Sequence, residues 1–244
     1  MATLQDYRNE RLRKLAALRE LGLDPYPAHT TRTHDCATVV AQYDELAGQE
    51  VAVAGRVVSV RSFGKLAFIK LQDASGAVQL YLQRDTMAEL DAPRGILGMK
   101  QLKLLDTGDF VEATGTVLRT KTGEISVGVR ELRLLTKALR PLPEKLENKE
   151  ERFRRRYVDM NVNPAVRRSV FWQATRDYLN QHGFTEVNIP VLEHTTGGAD
   201  ANPFVTHMDA LDGQQFYLRI SHELPLKRLL GAGFEKVYDI GPRF

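Results

Sequence analysis

Two short stretches in the last third of the sequence combine residue types that bind small charged ligands. In TTGGADANPF at 195–204, the pair Gly197-Gly198 lets the backbone approach a ligand closely, or simply permits a tight loop. In Ser221-His222-Glu223, a predicted strand passes into a predicted helix. The Glu223 carboxylate there either favours the helix start or binds a cation such as an ammonium group. Residue types alone leave both alternatives open.

A second set of candidate residues lies on predicted strands nearer the N-terminus. It interleaves basic, amide and aromatic side chains: Arg56, Arg61, Lys65, Phe68, Lys70, Gln79 and Tyr81. On a β-barrel surface such a mixture binds single-stranded nucleic acid, because rings stack on bases and cations follow phosphates. Aromatic residues in strands are more often part of the core, and spacing does not distinguish Phe68 from Phe63 as the exposed ring.

Several other kinds of site are excluded by the sequence. The histidines at 182, 194, 207 and 222 lack metal-ligand spacing, and there is no P-loop or GxGxxG motif. The single cysteine, Cys36, excludes an intrachain disulfide and a Cys-rich zinc site. No segment has the apolar length of a signal peptide or a membrane span, so we predict a cytoplasmic protein without a membrane partner.

The first element that must support these sites is an N-terminal amphipathic helix. Apolar residues recur at helical spacing at Leu4, Tyr7, Leu12, Leu15, Leu18 and Leu21, until Gly22 and Asp24-Pro25 end the pattern. The net charge is only +3, but basic residues cluster. Those on the predicted wetter faces of this helix are Arg8, Arg11, Arg13 and Lys14, which either are solvated or contact RNA.

Strand periodicity follows from Val51. Five short strand-like runs occur, with a helix-permissive stretch from Asp85 between the third and the fourth. This order is that of an OB-fold barrel, although a generic five-stranded barrel of the SH3 kind has the same periodicity.

A second domain is indicated beyond a stretch rich in proline and charge. There, a helical stripe of Val166, Val170, Phe171, Ala174, Tyr178 and Leu179 begins after Pro164. Short strands are predicted at 185–188, 203–207, 216–220 and 236–240, with a helix at about 221–230; their short links favour an antiparallel sheet. We predict a mixed α+β chain with four parts: an N-terminal helical extension at 1–48, an OB-fold at 49–140, a linker at 141–162 and an incomplete antiparallel sheet with flanking helices at 163–244.

The motifs of the chain resemble those of the bacterial lysyl-tRNA synthetases, which are class II aminoacyl-tRNA synthetases. The matching stretches are RLRKLAALRELGLDPYP, GRVVSVRSFGKLAFIKLQDASGAVQLYL, TKTGEISV, RRYVDMNVNPAVR, GFTEVNIPVLEHTTGGADANPF and FYLRISHELPLKRLLGAGFEKVYDIG. They keep the family's order. The GGAxAxPF and RIxxELxLKRLL patterns are similar to the lysyl branch rather than to the aspartyl or asparaginyl branch.

This resemblance implies a role for each candidate residue. Phe68 would stack on a base of a U-rich tRNA anticodon, with Arg61, Gln79 and Glu124 in polar contact with the bases. Gly197 and Gly198 would lie against the amino acid, and Glu223 would bind the α-ammonium of L-lysine. The implied partners are tRNA(Lys), L-lysine and ATP with Mg²⁺, together with a second copy of the chain, because the helix from Pro164 would belong to the family's dimer interface.

The resemblance also predicts what this stretch lacks. No catalytic residue is expected within it, because the arginines that contact ATP and the ligands of Mg²⁺ would follow Phe244. His222 and Pro225 stand where the family usually has proline and an aromatic residue. We therefore expect the N-terminal portion of a lysine-activating enzyme, inactive alone; the alternative is a free-standing tRNA-binding or regulatory module.

Overall fold

A computed structural model describes residues 3–143, 146–162 and 167–244. It divides the chain into two compact units, Met1–Val158 and Asp159–Phe244. The predicted helix start at Pro164 and the stripe residue Val166 lie outside the described residues.

The first unit is built around a five-stranded barrel. Its strands are β1 (Glu50–Phe63), β2 (Leu66–Gln72), β3 (Ala77–Gln83), β4 (Phe110–Arg119) and β5 (Ile125–Thr136). They are hydrogen-bonded in the order β1-β2-β3-β5-β4, and β4 pairs again with β1. A 3₁₀-helix, Met99–Leu104, precedes β4. This arrangement confirms the prediction of an OB-fold.

The length and curvature of β1 close the barrel. Its first half pairs with β4 and its second half with β2, and a bulge between Val57 and Ser59 bends the strand between the two. Where β4 pairs with β5, the two backbones lie so close at Gly115 that an added Cβ would stand 2.0 Å from the Gly128 carbonyl oxygen. Only glycine fits at this position.

The barrel interior follows from the alternation of side chains along each strand. On β2 and β3, every second residue points inward and is fully or almost fully buried. Residues of all five strands fill this core, including Val53, Ile69, Leu71, Leu80, Leu82, Val111, Val127, Val129 and Leu132. The residues between them on β2 and β3 point outward and form the surface discussed below.

Three helices precede the barrel in the sequence: the 17-residue α1 (Leu4–Glu20) and the shorter α2 (Cys36–Ala41) and α3 (Tyr43–Leu46). In α1, Leu15 and Leu18 are buried, whereas Leu4 and Tyr7 are exposed. Arg11 is only 5% exposed and donates hydrogen bonds to the carbonyl oxygens of Thr107 and Ala138. The expectation that Arg11 lies on a wet face is therefore wrong, because its guanidinium satisfies buried backbone acceptors.

A cluster of charged residues joins α1 to the segments that precede β4 and follow β5. Lys137 Nζ lies 2.6 Å from Asp106 Oδ2 and 2.7 Å from Asp109 Oδ2, and the side chains of Lys137 and Asp109 are fully buried. Lys14 of α1 approaches the other oxygen of Asp106 at 2.7 Å. Burial opposes ionisation of Asp106, but the hydrogen bonds from Lys137 and Lys14 outweigh it and lower its pKa. The Lys14 side chain is thus mostly buried in an ion pair with Asp106, and the prediction that it lies on a solvent-exposed face is wrong.

The second unit contains α6 (Arg167–Gln181), β6 (Thr185–Glu186), β7 (Leu192–Glu193), β8 (Val205–Met208), β9 (Gln214–Leu218), α7 (Glu223–Gly231) and β10 (Val237–Tyr238); α4 (Lys149–Arg154) and α5 (Arg156–Val162) precede them. Antiparallel pairing joins β7, β9 and β8 in that order, as predicted. In contrast, β10 pairs with β6 in parallel. The long intervening chain makes this possible, since parallel strands need a crossover.

We predict that Asp109→Asn lowers the free energy of unfolding of the barrel by about 3 kcal/mol, because it removes one partner of a buried ammonium group. Urea unfolding followed by far-UV circular dichroism measures this loss. Glu50→Gln is the matched control: it breaks a pair with Arg130 in which both side chains are at least half exposed, and should change stability by less than about 1 kcal/mol. Equal losses in the two variants would contradict a dominant role for the buried cluster.

Candidate functional site

A cleft of about 350 Å³ lies on the outer face of the barrel and is called the barrel cleft here. Its lining residues come from β1, β2, β3 and the turn before β5: Ser59, Arg61, Phe68, Lys70, Ala77, Val78, Gln79, Thr122 and Glu124. All four residues that the resemblance assigns to an anticodon, Arg61, Phe68, Gln79 and Glu124, are among them. The structure therefore brings these four side chains together, although up to 63 residues separate them in the sequence.

The strand register arranges the barrel cleft in two rows. Arg61 of β1 lies opposite Phe68 of β2, which lies opposite Tyr81 of β3. Two residues along the strands, Lys70 lies between Ser59 and Gln79, and Gln79 lies opposite Ser126 of β5. We call the first the ring row and the second the polar row. They are separated by about 7 Å, because successive residues on one face of a strand are two positions apart.

The ring row contains two aromatic rings in contact. The ring centroids of Phe68 and Tyr81 are 5.5 Å apart, and Phe63 meets Phe68 edge-on at 6.3 Å. Phe63 is 63% exposed but does not line the barrel cleft, whereas Phe68 is half-buried and does. A further cleft, of about 380 Å³, is lined by both Phe68 and Tyr81 and also by Arg119 and Lys121. The ring planes of Phe68 and Tyr81 are tilted by 37°, so a base would stack on the Phe68 ring alone rather than across both rings.

In the polar row, a buried serine connects two of the predicted contact residues. Gln79 Nε2 donates a 3.0 Å hydrogen bond to Ser126 Oγ, and Ser126 Oγ donates in turn to the Glu124 carbonyl oxygen at 3.3 Å. Ser126 itself is fully buried. The sequence did not predict a role for Ser126. The only signal was the strand alternation in β5, which places Ser126 on the opposite face from Ile125 and Val127.

Two basic residues of the original candidate set lie elsewhere. The Arg56 guanidinium carbon lies 4.9 Å from the centroid of the Phe110 ring, and burial lowers the pKa of Arg56. Lys65 is in the turn between β1 and β2. Neither residue lines the barrel cleft. The expectation that all the basic residues of these strands share one nucleic-acid surface is wrong for Arg56, because its side chain packs on an aromatic ring.

The second unit brings together the other three predicted site residues. Gly198 has φ of +80°, and a Cβ there would lie 2.9 Å from the Cβ of Glu223 and 3.0 Å from Ser221 Oγ. A Cβ on Gly197 would stand 2.4 Å from a terminal methyl group of Leu224. Gly198 is therefore required by its positive φ and by the close approach of Ser221 and Glu223, whereas a side chain at Gly197 would displace the end of Leu224. A cavity of about 570 Å³ also lies beside α7, but none of the three residues lines it.

Glu223 is the first residue of α7, and its carboxylate is half-exposed. Glu223 Oε1 lies 2.6 Å from Lys227 Nζ, one turn further along the helix. Its backbone N–H donates to Ser221 Oγ at 3.1 Å. Pro225 falls in the first turn, where a missing N–H costs no helical hydrogen bond. An ammonium group thus already occupies one oxygen of this carboxylate, while the other has no recorded partner among the described residues.

A buried arginine, Arg219, connects the segments that flank the start of α7 in the sequence. Arg219 is 2% exposed, and its guanidinium donates to the carbonyl oxygens of Ile189 and Pro242 at 3.0 and 3.1 Å. Its Nη1 lies 3.1 Å from Asp239 Oδ2, which His222 Nδ1 approaches at 3.3 Å. Gly241 is required here, because an added Cβ would stand 2.1 Å from Arg219 Nη2. Sequence reasoning missed Arg219, since nothing local distinguishes a buried arginine from an exposed one.

The part of the chain that the structure describes contains neither a metal-ligand cluster nor a membrane-spanning helix. There, no three His, Cys, Asp or Glu side chains lie together in a way that could hold a metal ion. Across those same residues, every helix is too short or too polar to span a bilayer.

Comparisons with known proteins match both units. Residues 148–244 match a family described as tRNA synthetases class II (D, K and N), and residues 51–135 match the OB-fold nucleic acid binding domain. The chain is 44% identical to the lysine–tRNA ligase of Thermosynechococcus vestitus, in an alignment covering 100% of this chain and 50% of the relative. It is 47% identical to that of Moorella thermoacetica, over 96% of this chain and 48% of the relative.

The chain thus spans about half the length of the curated relatives that it matches. The similarity runs through both units and includes the barrel cleft and the 195–204 loop. Residues 148–244 are therefore similar to the class II tRNA synthetases of the D, K and N group, and the chain as a whole is similar to lysine–tRNA ligases.

Proposed function

We propose that this chain supplies the anticodon-binding domain and part of the amino-acid site of a lysine–tRNA ligase. The observation that carries the proposal is the barrel cleft, where Arg61, Phe68, Gln79 and Glu124 lie together on one face. The similarity to lysine–tRNA ligases along the whole chain supports the choice of lysine. As in other enzymes of translation, tRNA would be met in the cytoplasm.

The barrel cleft is suited to uracil bases. A uracil ring can stack on Phe68, while its edge offers one N–H donor between two carbonyl acceptors. The Glu124 carboxylate can accept from that N–H, and Arg61 can donate to a carbonyl. One N–H of the Gln79 side-chain amide donates to Ser126 Oγ, which fixes the orientation of the amide group. Its second N–H and its carbonyl oxygen are then available to a base. Such fixed donors and acceptors reject bases with the wrong edge, because a buried polar group would be left unpaired.

The amino-acid part of the site rests on Glu223, Gly197 and Gly198. Glu223 would bind the α-ammonium of lysine through the carboxylate oxygen that Lys227 does not contact. The backbone at Gly197 and Gly198 would lie against the bound amino acid. A carboxylate attracts an ammonium more strongly as the site closes and water leaves, since the effective dielectric constant falls.

The reaction that we propose for the whole enzyme has two steps. The lysine carboxylate attacks the α-phosphorus of ATP and pyrophosphate leaves; a terminal ribose hydroxyl of tRNA then attacks the carbonyl carbon and AMP leaves. No protein nucleophile is needed, so the protein contributes orientation and charge neutralisation. The resemblance assigns both the ATP-contacting arginines and the ligands of Mg²⁺ to later sequence. We therefore assign only the holding of lysine and tRNA to this chain.

A homodimer is also part of the proposal. On α6, Val170, Phe171 and Tyr178 are each about 60% exposed and lie on one face with Ala174. An exposed apolar stripe of this kind needs a partner surface. The resemblance assigns this helix to the family's dimer interface, so a second copy of the chain is the proposed partner.

The alternative function is a free-standing RNA-binding or regulatory module. One observation favours it: the barrel forms a compact unit, and all four proposed anticodon contacts lie within it. RNA binding then needs no residue of the second unit. The two functions differ in whether amino-acid activation accompanies RNA binding.

We expect Phe68→Ala to weaken binding of a tRNA(Lys) anticodon stem–loop by about 5- to 150-fold, which corresponds to a stacking contribution of about 1–3 kcal/mol. Fluorescence anisotropy measures the dissociation constant. Phe63→Ala is the matched control, because it removes a ring that is more exposed and lies outside the barrel cleft, and a much smaller loss is expected. Unchanged affinity in Phe68→Ala would rule out the anticodon role.

For the dimer, we expect Phe171→Lys to increase the monomer fraction, because a charge would enter the apolar stripe. Light scattering after size-exclusion chromatography reports the mass as a function of concentration. Gln173→Lys places the same charge on an exposed position off the stripe and keeps a partner for Asp177, so the mass should not change. Dissociation by both variants, or by neither, would count against this face.

Lysine-dependent exchange between ATP and pyrophosphate separates the two functions. We expect residues 1–244 to bind the stem–loop but to give no exchange, while addition of the remaining sequence typical of the relatives restores it. Exchange by residues 1–244 alone would show that this chain holds a complete activation site. Failure of the extended protein to exchange, with RNA binding intact, would favour the regulatory module.

A further inference from the structure

The polar row of the barrel cleft contains a lysine that the anticodon assignment does not use. Lys70 is exposed, lines the barrel cleft, and has no hydrogen-bond or ion-pair partner among the residues that the structure describes. Two other lysines of this unit, Lys14 and Lys137, are instead paired with Asp106 and Asp109. We propose that Lys70 binds a backbone phosphate of the nucleotide whose base stacks on Phe68. This inference rests on the proposed function of the barrel cleft.

The position of Lys70 relative to Phe68 supports this contact. The two residues are separated by one position on β2, so both point outward, about 7 Å apart along the strand. A base on the Phe68 ring leaves its sugar and phosphate at a neighbouring position on the surface. The four-carbon lysine side chain can span that gap, and its ammonium group can remain hydrated while it binds.

The distribution of charge across the barrel cleft indicates where the phosphate lies. Along the polar row the order is Ser59, Lys70, Gln79 and Ser126, and Glu124 precedes Ser126 by two residues, just before β5 begins. The cation is therefore on β2 and the carboxylate on the far side of β3, about two strand spacings or 10 Å away. A phosphate is attracted to the Lys70 side and repelled from the Glu124 side, while the base edge lies toward Gln79 and Glu124.

The chemistry of the side chains leads to the same division. An ammonium group is a flexible point charge without a fixed donor geometry, which suits a phosphate better than a base edge. Gln79, in contrast, is held by Ser126 at 3.0 Å and offers a fixed pattern of donors and acceptors. Lys70 should therefore contribute affinity without base preference, and Gln79 should contribute base preference.

The test compares Lys70→Gln with Lys103→Gln in the 244-residue chain. Lys103 is also exposed and without a recorded partner, but it lies on the 3₁₀-helix and outside the barrel cleft, so both variants lose one charge. The probes are an anticodon stem–loop with a U-rich anticodon and the same stem–loop with cytosines at those positions. Anisotropy titrations at several salt concentrations give the slope of log K against log salt for each protein.

We expect Lys70→Gln to reduce that slope by about 0.7, the share of one single-strand phosphate, and to weaken binding about five-fold at 0.1 M salt. The ratio of affinities for the two stem–loops should not change, and Lys103→Gln should match the wild type. A slope equal to that of Lys103→Gln would overturn the proposal, and so would a loss of base discrimination, which would make Lys70 a base contact. If the wild-type chain binds neither stem–loop, the proposed function itself fails, and the phosphate contact fails with it.

Discussion

The pairing register of β2 with its two neighbours determines both the core and the candidate RNA surface. Because side chains alternate along a strand, Ile69 and Leu71 fill the barrel only if Phe68 and Lys70 face outward. A shift of one residue would bury the aromatic and basic side chains and expose the aliphatic ones. The burial of apolar side chains that stabilises the barrel therefore also fixes the outward orientation of Phe68 and Lys70.

Charged residues in this chain divide into those that hold the structure together and those that remain for a ligand. Arg11, Lys14 and Lys137 satisfy buried acceptors around Asp106 and Asp109, where an uncompensated charge would be costly. In the barrel cleft, Arg61 and Lys70 have no such partners among the described residues. A small net charge thus coexists with a locally basic surface, since the cations that are paired internally contribute little to the field outside.

The second unit shows how a buried cation can organise loops that short strands cannot. Its strands have two to five residues, so few ladder hydrogen bonds connect them. Arg219 binds carbonyl oxygens from two segments and lies beside Asp239, while its own backbone pairs with Val191 and Phe244. Ser221 and Glu223 follow this arginine two and four residues later. The proposed ammonium-binding carboxylate is thus only one residue from His222, which approaches Asp239 in this network.

The sequence by itself determined the features that repeat locally: the alternation of the five barrel strands, the helix near the N-terminus, and the order of the two units. Its motifs also indicated the family, and with it the residues that line the barrel cleft. Spacing could not distinguish Phe68 from Phe63, nor separate a buried cation such as Arg11 from an exposed one such as Lys70. The resemblance selected Phe68, whereas only the tertiary structure separated the cations and showed the Gln79–Ser126 hydrogen bond and the parallel pairing of β10 with β6. The physical reason is that periodicity depends on residues two to four positions apart, whereas the partner of a charge or a strand edge comes from residues that are distant in the sequence.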